Sequence, residues 1–143
     1  MLNSVLKLHL IATLALASFG LIENQENVTL TVEVDVTKHN KGQIAFALFD
    51  NAEAFLEKPV RSDAKDVKQN KVIFKFRDLP KGSYSFSYYH DLNANGELDT
   101  NFMGVPKEPY GFSNNQKGKF GPPDFEDAKI LIDQNTTIQL TIK

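Results

Sequence analysis

From Val28 the apolar residues fall on every second position, Val28, Leu30, Val32, Val34 and Val36, with Thr, Glu and Asp between them. That is the period-two pattern of a strand with one buried face, and a helical reading would scatter these residues around the axis. Asn40-Lys41-Gly42 supplies a turn, and a second strand is predicted over Gln43 to Phe49, with Ile44, Phe46 and Leu48 on one side and Ala45 and Ala47 on the other. Residues 50–70 read as polar and irregular. Their short apolar patch, Ala54-Phe55-Leu56, predicts a contact that pins this excursion to the core, and Pro59 opposes a long helix there.

A third strand is predicted around Val72, Phe74 and Phe76, followed by a turn at Asp78-Leu79-Pro80-Lys81-Gly82. In the fourth, Ser83 to His90, the residues Tyr84, Phe86 and Tyr88 alternate with serines, giving one aromatic face and one small polar face. Ala128, Ile130 and Ile132, then Ile138, Leu140 and Ile142, predict a closing hairpin joined through Asp133-Gln134-Asn135. Six or seven short strands separated by turn residues, with no convincing helix, predict an all-β fold: a single antiparallel β-sandwich carrying one long ordered loop.

The chain's start has a different character. Lys7 precedes an almost wholly apolar run from Leu8 to Phe19, shorter than the roughly 20 residues that span a bilayer. Small residues at Ala15, Ala17, Ser18 and Gly20 suit cleavage, so residues 1–22 are predicted to be a signal peptide, 23–27 a linker and 28–143 the sandwich. The protein is then expected to be exported, periplasmic or extracellular, with no integral membrane segment after cleavage. The whole chain has 143 residues, 16 Lys+Arg against 18 Asp+Glu, and no Cys. A slightly acidic balance excludes nucleic acid as an expected partner, and the lack of Cys excludes disulfide scaffolds, thiolate zinc sites and cysteine nucleophiles.

The candidate chemistry lies between residues 91 and 126, a connection long enough to need something besides secondary structure to order it. It opens with Asp91-Leu92-Asn93-Ala94-Asn95-Gly96-Glu97-Leu98-Asp99. Calcium takes six to eight oxygens, and short Asp and Asn side chains at alternate positions converge on one point if the chain turns sharply after the third, which Gly96 permits. On this reading Asp91, Asn93 and Asn95 give side-chain oxygens to Ca²⁺, Glu97 gives its carbonyl, and Asp99 an oxygen directly or through water. Leu98 points inward. Phe102 stands where a calcium loop of this kind has its bidentate glutamate, so the missing carboxylate must come from elsewhere; Glu108, Asp124 and Asp127 are nearest in sequence. A metal-free Asx-rich turn uses the same residues. Beyond it, glycines and prolines alternate with aromatics. Tyr110, Phe112, Asn114 and Asn115 form a candidate ligand surface for an envelope or extracellular partner, a glycan or a peptide, while Phe102, Phe112, Phe120 and Phe125 are expected to plug back onto the sandwich.

Leu79-Pro80-Lys81-Gly82-Ser83-Tyr84, His90-Asp91 through Asp99, Gly104-Val105-Pro106-Lys107-Glu108, Tyr110-Gly111-Phe112-Ser113-Asn114-Asn115 and Gly121-Pro122-Pro123 through Phe125 and Ala128 together resemble the bacterial exported proteins grouped as domain of unknown function 2141. The resemblance covers residues 28 to 143. It implies a small periplasmic or secreted protein with an immunoglobulin- or transthyretin-like sandwich and no assigned activity. The turn-strand piece is also similar to surface-protein B-type and carboxypeptidase-regulatory-like modules. The catalytic His and Arg set and the Tyr-Arg-Gly-Ser ending of transthyretin-like hydrolases are not found here. Catalysis is accordingly not expected: no nucleophile has a base at recognisable spacing. The rival to a calcium-stabilised binding module is a small metal-assisted hydrolase using His90, Asp91 and Glu108, and a third reading is a purely structural envelope protein.

Overall fold

A computed structural model describes residues 26–143; the expected signal peptide and the first part of the linker lie outside the described residues. Strand β1 (Asn27–Val36) is central in a three-stranded sheet, between β4 (Lys71–Pro80) and β8 (Thr136–Ile142). The facing sheet runs β3 (Arg61–Asp66), β2 (Gln43–Phe49), β5 (Gly82–Asp91) and β6 (Tyr110–Phe112), with β7 (Ile130–Ile132) pairing the start of β5. One short helix, α1 (Phe125–Ala128), and a 3-10 turn (Ser113–Asn115) complete the fold. The two sheets make an all-β sandwich.

The alternation read in β1, β2, β4 and β5 is the alternation that packs. Leu30, Val32, Val34, Phe74, Ile44 and Leu48 have no exposed surface, and Phe46 meets the rings of Phe74, Phe76 and Phe86 at 4.8–5.3 Å between the sheets. Tyr84 turns its hydroxyl back to donate to the Pro80 carbonyl at 2.7 Å, which fixes the corner between β4 and β5. The Leu-Pro-Lys-Gly-Ser-Tyr stretch thus has a structural reason: the ring is buried and its one polar atom is satisfied within the turn.

Three expectations are corrected. Residues 61–66 are not irregular but form the edge strand β3, paired to β2 from Gln43↔Asp66 to Leu48↔Arg61. Its residues are mostly exposed, so it carries no hydrophobic period, and its charges guard a free sheet edge. The closing hairpin does not form. β7 joins β5, whereas β8 crosses to the other sheet and runs parallel to β1, so the sandwich is not wholly antiparallel. Alternation gives the buried face of a strand but not its partner; here Asn135 Oδ1 accepts from Thr29 N at 2.8 Å and fastens the crossing to β1. Finally, only two of the four aromatic plugs are plugs. Phe112 and Phe125 are buried, but Phe102 is 95% and Phe120 105% exposed.

The outer face of the larger sheet has its own small core. Phe55 packs edge-on to Phe49 at 5.3 Å and to Phe125 at 5.8 Å, and Ser85 Oγ donates to the Phe125 carbonyl at 2.9 Å. The excursion after β2 is therefore pinned as its apolar patch predicts.

Candidate functional site

β5 ends at Asp91, opposite Gln43 on β2. Neighbouring strand residues point to opposite faces, so His90 turns toward the sandwich interior with its register partner Ile44, and Asp91 toward the loop that follows. Asp91 has no exposed surface. Its Oδ2 accepts from Gln43 Nε2 at 2.9 Å and Gly96 N at 2.8 Å, and its Oδ1 from Asn95 N at 3.1 Å. Burial by itself raises the carboxyl's pKa; the donors from Gln43 and from the Gly96, Asn95 and Ala94 amides outweigh it and hold the group below the ordinary value. Left-handed backbone at Ala94 (φ 56°) and Gly96 (φ 83°) curls the chain around this carboxylate. At Gly96 that conformation is free of steric cost, which is what the Asn-Gly step supplies.

The remaining loop side chains close on one another. Asn93 Nδ2 donates to Asp99 Oδ2 at 2.9 Å and Asn95 Nδ2 to Asp99 Oδ1 at 3.3 Å, while the two Asn carbonyl oxygens accept from Asn95 N and Glu97 N. Asp91, Asn93, Asn95 and Asp99 are brought together; the Glu97 side chain is exposed and makes no hydrogen bond among the described residues. Glu108 is 6% exposed and staples the two ends of the loop, its Oε1 accepting from Leu92 N at 2.8 Å and its Oε2 from Asp99 N at 3.0 Å. Of the three carboxylates named for the vacant ligand position, only Glu108 is hydrogen-bonded to the loop. Phe102 projects into solvent.

Electrostatically the region is negative and uncompensated. None of the described ion pairs includes Asp91, Glu97, Asp99 or Glu108. Tyr89, whose hydroxyl donates to the Gly96 carbonyl at 2.9 Å, has its phenol pKa raised first by burial and then by the charges of Asp91, Glu108 and Glu97. The donor set is oxygen-rich, but no three His, Cys, Asp or Glu side chains among the described residues form a metal cluster. Of the loop's three carboxylates, Asp91 and Asp99 turn inward and Glu97 is exposed. An entering ion would have to displace the Asn93 and Asn95 amides from Asp99, which accepts both of them in the metal-free network.

His90 is fully buried, with Nε2 2.7 Å from the Lys41 carbonyl and Nδ1 lacking a partner among the described residues. It shares no site with Asp91 and Glu108, because strand alternation sends it to the opposite face.

The predicted ligand surface flanks a cleft of about 410 Å³ lined by Tyr88, Tyr110, Phe112, Asn115, Gln116 and Lys117 among others. Tyr110 is 51% exposed and stands edge-on to the buried Phe112 ring at 6.0 Å. Asn115 lines the cleft, whereas Asn114 turns away and donates to the Lys129 carbonyl at 2.8 Å. Two structural residues make this possible. A Cβ on Gly111 would lie 2.4 Å from the Tyr88 hydroxyl, so the Tyr88 ring lies across β6 only because residue 111 has no side chain. Ser113 Oγ accepts from Phe86 N at 3.0 Å, where the β5–β6 ladder has ended.

Gln43, Glu108 and Ser113 carry much of this architecture. The strand register that aims Gln43 at Asp91 leaves no mark in sequence, and Ser113 looks like any loop serine; Glu108 is reached from the sequence only as one of the three carboxylates nearest the loop.

Fold and loop together define a class: a small two-sheet β-sandwich whose largest loop is closed by Asp and Asn side chains. Within that class the chain belongs to the family described as "uncharacterized protein conserved in bacteria", domain of unknown function 2141, which matches residues 32–139. No curated protein and no solved structure was found to match. No helix among the described residues is long and apolar enough to cross a membrane.

Proposed function

We propose that this protein is an exported binding module of the bacterial envelope or extracellular space, whose 91–99 loop is stabilised by Ca²⁺ and whose cleft beside Tyr110 receives a glycan or peptide. The observation that carries the reading is the convergence of Asp91, Asn93, Asn95 and Asp99 on one loop, whose two carboxylates are in none of the ion pairs among the described residues. Asp91, Asn93 and Asn95 would hold the ion through side-chain oxygens, Glu97 through its carbonyl and Asp99 through its carboxylate. Glu108 serves as a positioning residue, since its two oxygens hold the loop's ends through the Leu92 and Asp99 amides. Bound calcium would supply charge neutralisation and order, not a reaction. With two loop carboxylates the affinity belongs in the weak class, Kd of about 10⁻⁴–10⁻³ M, typical of extracellular modules. Export is supported by the leader-like pattern of residues 1–22.

Calorimetric titration of residues 26–143 with Ca²⁺ after chelator treatment, alongside melting with and without the metal, tests the site; the core described above is built from these residues. Binding in the stated range with a raised Tm, lost in Asp99→Asn, is the expected result. No heat and no change of Tm at tenfold above that range would leave a metal-free Asx turn and overturn the reading.

A further inference from the structure

The cleft beside Tyr110 holds polar groups that the fold leaves unused. Tyr88 is 8% exposed. On the same strand Tyr84 donates its hydroxyl to the Pro80 carbonyl and Tyr89 to the Gly96 carbonyl, whereas the Tyr88 hydroxyl has no hydrogen-bond partner among the described residues. A buried phenol normally finds one, because an unmade bond costs about 1–3 kcal/mol. The hydroxyl lies against Gly111, which lines the 410 Å³ cleft but not the neighbouring one of about 300 Å³ that Tyr88 also borders. It therefore opens into the larger cleft. Burial pushes its pKa up, so it stays a neutral donor. Beside it, Asn114 donates its amide to the Lys129 carbonyl, but the side chains of Asn115 and Gln116 make no hydrogen bond among the described residues. Lys117 is exposed and in none of the described ion pairs. No Asp or Glu lines this cleft among the described residues, in a chain whose formal net charge is −2.

We propose that the cleft takes an acidic sugar, a pyranose lying against the half-exposed Tyr110 ring, with its hydroxyls bonded by Tyr88, Asn115 and Gln116 and its negative group held by Lys117. The inference narrows the glycan-or-peptide cleft of the proposed function and rests on it, but not on calcium. A pyranose joins a C–H face to a rim of hydroxyls, which matches one flat ring beside three neutral hydrogen-bonding groups. A peptide added to the β6 edge needs successive pockets for alternate side chains, and here one ring is exposed while Phe112 is buried. The volume falls within the range of small-ligand sites, about 300–1,000 Å³. A lone cation in a cleft without acids selects for negative charge. Lys is a point charge and accepts carboxylate or phosphate alike, so the probes must separate the two.

Residues 26–143 are titrated in excess chelator with glucuronate, glucose 6-phosphate, glucose and triglutamate, and binding is read from amide shifts in nitrogen–proton NMR spectra. A charged sugar gives saturable shifts centred on residues 110–118 and binds at least about fivefold tighter than glucose; the tighter of the two identifies the negative group. Tyr88→Phe keeps the ring and the melting temperature, because it removes a hydroxyl with no partner in the fold, and weakens sugar binding at least about threefold. Lys117→Gln brings the charged sugar down to the affinity of glucose and leaves glucose unchanged. The proposal is overturned by glucose binding as tightly as the charged sugars, by shifts away from the cleft, or by a Tyr88→Phe variant that binds like the parent. Triglutamate binding in the cleft without the sugars also overturns it, while leaving the cleft a peptide site. Silence from all four probes removes the cleft reading with it and leaves the calcium titration untouched.

Discussion

Asp91→Asn sets two large effects against each other at one buried atom group. Removing the charge relieves the desolvation of a carboxylate with no exposed surface, and replacement of buried charges by neutral groups is sometimes stabilising. Against this, Asn offers one acceptor oxygen where Asp offers two. If that oxygen keeps Gly96 N and Gln43 Nε2, the new amide nitrogen faces Asn95 N, donor against donor. Each hydrogen bond to a charged group contributes about 1.5–3 kcal/mol. Loss of one and weakening of two others gives a net destabilisation of about 2–4 kcal/mol, near 8–16 °C in Tm for a domain of this size. Urea unfolding followed by circular dichroism in excess chelator measures it without metal. The pH dependence sharpens the test. The folded pKa of Asp91 lies below its unfolded value, so its contribution is complete above about pH 4 and is lost as pH falls through the folded pKa. The gap between Asp91→Asn and the parent is therefore full at pH 7 and 5 and shrinks below about pH 4. A penalty under about 0.5 kcal/mol at pH 7, or one independent of pH, would refute the claim that donors outweigh burial here.

Two further variants test the supports of the site. Glu108→Gln leaves one loop end facing an amide nitrogen, and is expected to cost about 1–3 kcal/mol and to speed hydrogen exchange at the Leu92 and Asp99 amides at least about tenfold over the surrounding strands. Ser113→Ala strips the buried Phe86 amide of its acceptor, with an expected loss of about 1–3 kcal/mol in urea unfolding; Ser113→Thr, which keeps a hydroxyl, should recover part of it.

Where a strand buries one face, the sequence displays it: β1, β2, β4 and β5 are legible residue by residue. β3 is invisible, because Arg61-Ser62-Asp63-Ala64-Lys65-Asp66 is held by backbone pairing along an edge and needs no apolar side. β8 shows its buried face through Leu140 and Ile142, yet its parallel partner lies about a hundred residues away and nothing local announces it. The Asp91–Asp99 loop is legible as an Asx-rich turn, since Asx side chains act over two or three positions. Its outer supports, Gln43 and Glu108, depend on strand register and on a fold-back of the chain, which no short-range pattern encodes. The aromatics divide for a physical reason as well: Phe112 and Phe125 lie on paired or helical backbone facing the sheet, whereas Phe102 rides on a self-bonded reversal that points outward.

The parallel pairing of β1 with β8 has a temporal side. β1 is the first described strand to be synthesised and the central strand of its sheet, and one of its two edges is filled by the last. Until residues 136–142 have emerged from the ribosome, that edge presents unpaired amides and carbonyls, and Leu30, Val32 and Val34 lack part of their cover. The smaller sheet can therefore close only as a late event, through a loop of about a hundred residues, whose entropy slows the step that completes it. During that interval the nascent chain is a target for chaperones and for other unpaired strands. Its edge chemistry is safe only in the finished molecule.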